Sequence, residues 1–75
     1  MSEEQKRKED FVEKMLDPFI KEIDSNVASV IYKLVDTVSY ELEYVLVTWK
    51  GGYVRRIYIT GDSLSALSRE VLRIF

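Results

Sequence analysis

The sequence contains no cysteine and no histidine, and these two absences remove most familiar enzyme chemistries at once. Without cysteine there is no disulfide, no thiolate nucleophile and no thiolate ligand for structural zinc. Without histidine, a serine or threonine nucleophile loses its usual base. Glycine is confined to Gly51, Gly52 and Gly61, and no Gly-Lys-Ser/Thr element accompanies them, so no nucleotide-binding loop is expected. No apolar run approaches the ~20 residues that span a bilayer, and the charged stretch from Ser2 to Asp10 does not resemble a signal peptide. A cysteine-free chain also suits a reducing compartment. These exclusions predict a cytoplasmic, non-enzymatic protein with no cofactor, no metal and no membrane association.

What is present suits one small core. The chain has 75 residues, 47% hydrophobic and 32% charged, which is a globular balance and too short for two domains. A chain of this length buries only about 60% of the surface its unfolded form exposes, so a partner subunit is a natural source of further stability. The net charge of −2 creates no global basic field. Acids dominate residues 1–24, whereas Lys50, Arg55, Arg56, Arg69 and Arg73 outnumber Asp62 and Glu70 toward the other end.

Residues 1–10 are charged almost throughout and are expected to form a flexible lead-in to a single domain over residues 11–75. Phe11, Val12, Met15, Leu16, Phe19, Ile20 and Ile23 then recur at helical spacing. Pro18 inside that stripe predicts a kink, and Asp24, Ser25 and Asn26 end the helix. Strands are predicted over residues 28–35, 40–49 and 53–60, which are rich in Val, Ile, Tyr and Thr. Gly51 and Gly52 predict a two-residue turn between the last two strands. That turn sets Leu46 opposite Ile57 and Tyr44 opposite Ile59 on one face, with Val45 opposite Tyr58, Val47 opposite Arg56 and Trp49 opposite Val54 on the other. Leu34 opposite Tyr40 would bring Lys33 to Glu41. Beyond Gly61, Asp62 or Ser63 is a good cap for a second helix carrying Leu64, Leu67, Val71, Leu72 and Phe75, with Arg69 and Arg73 near its C-terminus. The fold class is therefore α+β: a single small domain in α-β-β-β-α order, its three-stranded antiparallel meander covered on one face by both helices.

That element order, over about residues 11–75, resembles the double-stranded-RNA-binding domain in topology. The resemblance implies a basic cluster at the start of the last helix that grips phosphates. Here the matching segment reads Asp62, Ser63, Leu64, Ser65 and Ala66, so that grip is missing. Glu41 and Glu43 project from one strand face, but two carboxylates do not complete a cation site, and beside Lys33 they read as a solvated strand face. Ser63, Ser65 and Ser68 read as cap and solvent-facing residues.

The uncovered sheet face stands out. In the expected register it carries Ile31, Val45, Val47, Trp49, Val54 and Tyr58 within a polar border, the composition of an interface. The leading expectation is a protein-interaction module that forms a homodimer through Val45, Val47, Trp49, Val54, Arg56 and Tyr58, with another protein partner possible on the same face. A second reading is a nucleic-acid-binding accessory protein that uses Lys50, Tyr53, Arg55 and Arg56. A third is an acidic inhibitor or mimic whose acidic first helix docks on a basic partner surface, a reading that charge reversal at Glu13 and Glu22 would test.

Overall fold

Lys8, Val12, Leu16 and Ile20 recur at intervals of four, and that spacing shapes the first helical rod. The computed structural model describes residues 2–36, 39–61 and 63–75. In it the rod has three consecutive pieces: α1 (Glu3–Phe11), one π-helical turn (Val12–Leu16) and α2 (Asp17–Ile23). On a straight α-helix, three steps of four residues would carry a stripe about 120° around the axis. The wide turn, closed by the Asp17 N–H on the Val12 carbonyl, takes up this excess, and all four side chains are buried. It lies immediately ahead of Pro18, whose ring would crowd the preceding turn of an ordinary helix. The narrower buried stripe leaves Met15, Phe19 and Ile23 exposed.

The expectation of an unpacked lead-in over residues 1–10 is corrected for the described part of it. Ser2 Oγ accepts from the Gln5 N–H at 3.2 Å while Gln5 Oε1 accepts from the Ser2 N–H at 2.7 Å. This reciprocal cap starts α1 at Glu3. Its signature, Ser-x-x-Gln, was present in the sequence but outweighed by charge density.

Three antiparallel strands follow in the order β1 (Val27–Asp36), β2 (Glu41–Trp49) and β3 (Val54–Tyr58). The chain then enters α3 (Leu64–Leu72), where Ser63 Oγ accepts from the Ala66 N–H at 3.0 Å. Asp62, the other candidate cap, lies outside the described residues. Val12, Leu16 and Ile20 from the first rod and Leu67 and Val71 from α3 close on Val30, Tyr32, Val45, Val47 and Ile59. Both helical layers thus cover one face, and the fold is α+β in α-β-β-β-α order.

The strand registers differ from those expected. Trp49 N–H donates to the Tyr53 carbonyl at 2.8 Å, and Gly52 N–H donates to the Trp49 carbonyl at 2.9 Å. The loop is therefore Lys50, Gly51 and Gly52, a three-residue turn whose last residue takes the left-handed conformation (Gly52 φ 95°). Tyr44 faces Tyr58, Val45 faces Ile57, Leu46 faces Arg56 and Val47 faces Arg55. A slip of one residue turns every β2 side chain to the opposite face. On the other side Lys33 faces Tyr44 and Leu34 faces Glu43, with a bulge between Val27 and Ser29. The Lys33–Glu41 and Leu34–Tyr40 pairings are not made.

Candidate interaction surface

Two of the six expected interface residues are core residues, and a third packs against the core. Val45 and Val47 are 0% exposed, lying on the helix-covered side because of the register just described. Trp49 packs against the same core. Its indole N–H donates to Asp24 Oδ2 at 3.1 Å, and its ring lies 6.0 Å from Phe75 and 5.2 Å from Tyr53. Val54, Arg56 and Tyr58 do occupy the uncovered face, and all three are exposed.

Their companions are Ile31, expected on this face, and Leu42, Tyr44 and Leu46 of β2, expected inside. Reading across the strands, the uncovered face consists of the rows Ser29–Thr48–Val54, Ile31–Leu46–Arg56, Lys33–Tyr44–Tyr58 and Val35–Leu42. The Tyr44 and Tyr58 rings lie 5.6 Å apart, and the Arg56 guanidinium sits 5.8 Å from the Tyr44 ring centre. These four rows hold an apolar centre, two cations and no carboxylate. Leu42, Tyr44 and Leu46 were misplaced because both alternating sets of β2 are apolar, so only loop length could decide between them.

The four candidate nucleic-acid residues do not converge. Tyr53 belongs to the hairpin end against Trp49, Lys50 lies in the loop, and adjacent Arg55 and Arg56 project to opposite faces of β3. Glu13 and Glu22, the positions that would test docking on a basic partner, are exposed on the first rod.

Glu41 and Glu43 do share a face, but it is the helix-covered one, and Lys33 is not their partner. Lys8 Nζ donates to Glu43 Oε2 at 3.0 Å and Oε1 at 3.2 Å, Tyr32 Oη donates to Glu43 Oε1 at 2.5 Å, and Gln5 Nε2 donates to Glu41 Oε2 at 3.1 Å. Burial pushes the Tyr32 phenol well above its ordinary pKa, helped by the hydrogen bond to Glu43 and the negative charges of Glu43, Glu41 and Glu9. This cluster fastens α1 to the sheet. Among the described residues, no group of three or more acidic side chains is placed to hold a metal ion.

The two sheet edges are finished differently. On β1 the Val30 N–H donates to Asp17 Oδ1 at 2.8 Å, and Asp17 Oδ2 lies 2.9 Å from Lys21 Nζ. On β3, Thr60 just beyond the strand is held by Glu70 of α3, with its N–H on Oε2 at 3.2 Å and its hydroxyl on Oε1 at 2.7 Å. Beside β3 runs a groove of about 460 Å³ lined by Arg55, Arg56, Ile57, Tyr58, Arg73 and Ile74, with Thr60 and Glu70 at its end.

Compared with known proteins, the chain matches no family model, no curated protein and no solved structure. Its likeness to the double-stranded-RNA-binding domain remains one of element order. No helix among the described residues is long and apolar enough to cross a membrane.

Proposed function

We propose that this protein is a non-enzymatic interaction module that self-associates through the uncovered sheet face, and we assign it to the cytoplasm. The observation that carries this reading is the row pattern Ile31–Leu46, Tyr44–Tyr58 and Val35–Leu42, an apolar centre that neither helical layer covers. Leaving such a face wet forgoes about 25 cal/mol for each Å² of apolar surface that could be buried. A standard interface removes about 800 Å² per partner. Against the 5077 Å² that this chain exposes, that is a large gain for so small a core. Lys33 and Arg56 supply the polar rim, and a two-fold axis lets the same face serve both subunits.

The test is solution mass, by light scattering, of the wild type and of Ile31→Gln/Leu46→Gln, whose substitutions meet at one cross-strand pair. A dimeric wild type and a folded monomeric variant are expected; a monomeric wild type at millimolar concentration overturns the reading. Trp49→Glu is a poor probe, because that side chain packs against the core.

One observation favours a second reading. Tyr44 and Tyr58 side by side, with Arg56 and Lys33 and no carboxylate among the described residues of the face, suit stacking of single-stranded bases. Salt-dependent retention of single-stranded RNA that is lost in Tyr44→Ala/Tyr58→Ala would favour this reading over self-association.

A further inference from the structure

We propose that the free edge of β3 accepts an extended acidic peptide as a fourth strand, seated in the groove between β3 and α3. The inference concerns the backbone edge beside the uncovered face, with which it shares Arg56 and Tyr58, and three observations converge on it.

The first is the backbone. Trp49 pairs with Tyr53 through its N–H, and Ile59 N–H donates to the Glu43 carbonyl at 2.9 Å, so the odd-numbered β3 residues bond inward to β2. Alternation in an antiparallel pair then turns the N–H and C=O groups of Val54, Arg56 and Tyr58 outward, away from the sheet. β3 is the last strand of the sheet, so these groups form a template for a further strand.

The second is the boundary. Thr60 is the next outward-facing residue, and Glu70 already holds its N–H. The open template therefore ends at Tyr58, and the Glu70 carboxylate repels an acidic residue that would extend past it. The β1 edge differs, since Asp17 occupies the Val30 donor and its nearby groove is lined by Glu9, Glu13 and Asp17.

The third is charge. Arg55 reaches the groove from the helix-covered side of β3, Arg56 from the uncovered side and Arg73 from beyond α3. Among the described residues, none of the three has a carboxylate within ion-pair distance. Guanidinium forks pair bidentately with carboxylates. A strand added here sends alternate side chains to the Arg55 and Arg73 side, so acids at every second position meet cations while the intervening residues lie beside Val54 and Tyr58. The outward backbone groups favour a peptide over a nucleic acid, which would use the arginines alone.

The experiment uses the full chain and a fluorescein-labelled peptide of alternating Glu and Val, read by anisotropy at low salt. Binding is expected to weaken about tenfold or more in Arg55→Glu/Arg73→Glu. Because only alternate peptide residues bond to the edge, N-methylation of one alternating set should abolish binding, and N-methylation of the other should not. Equal binding of both N-methylated peptides, no binding of the parent peptide, or indifference to the arginine substitutions overturns the proposal. Displacement of the peptide by oligothymidylate at lower concentration than by unlabelled peptide also overturns it. The Ile31→Gln/Leu46→Gln variant should bind the peptide as the wild type does, so failure of the open-face reading is separable from failure here.

Discussion

Lys8 Nζ lies 3.0 Å from Glu43 Oε2, and this contact joins the first helical stretch to the inner face of the central strand. Lys8 is 4% exposed, and its ammonium is paired with that carboxylate. Lys8→Met would leave Glu43 half-buried without its cation and should lower stability by about 3 kcal/mol. Adding Glu43→Gln, which keeps an acceptor for Tyr32, should recover part of the loss. Urea unfolding of the two single variants and the double variant measures the coupling, and additive costs would show that the pair does not act as one.

Alkaline pH should expose the Tyr32 phenol. The fold holds this group protonated above the ordinary tyrosine value of 10, so the stability it confers is complete below about pH 10. Above that, the unfolded chain loses the proton while the folded chain keeps it. The difference in stability between wild type and Tyr32→Phe should then shrink by about 1.4 kcal/mol per pH unit, until the folded group also ionises. Parallel curves from pH 8 to 11 would count against this account.

The hairpin loop offers a paired test on adjacent glycines. A side chain at Gly51 meets nothing within 4 Å, whereas Gly52 sits at φ 95°, where an L-residue is strained. Gly51→Ala should be nearly neutral. Gly52→Ala should cost about 1 kcal/mol, seen as a lower thermal midpoint. Equal effects would contradict the three-residue loop and with it the strand register.

The helices, the strand number and their order were legible because each rests on periodicity and punctuation. Ser63 acted as the cap its chemistry suggests, and the apolar run from Val12 to Ile20 marked the later part of the first rod but not its leading piece, α1. The candidate surface was only half legible. At β3, Ile57 and Ile59 mark the inner parity, so Val54, Arg56 and Tyr58 were placed on the uncovered face. In β2 the sets Val45, Val47, Trp49 and Leu42, Tyr44, Leu46 are equally apolar, so composition leaves their sides undecided. The choice fell to whether the Gly-Gly turn holds two residues or three, a difference that shows at Gly51, since of the pair only Gly52 takes a positive φ. Lys8 escaped notice for another reason: a buried lysine is unusual, and only the fold reveals the Glu43 carboxylate that compensates it.

The wide turn at Val12–Leu16 also sets a rotational phase. One residue removed from it would narrow the turn and swing everything ahead of it by about 100°. Lys8 would then leave Glu43 for solvent, and a charged neighbour would be driven toward the sheet. The segment thus works as a spacer whose length, more than the identity of its exposed residues, decides which side of the leading helix meets the rest of the molecule.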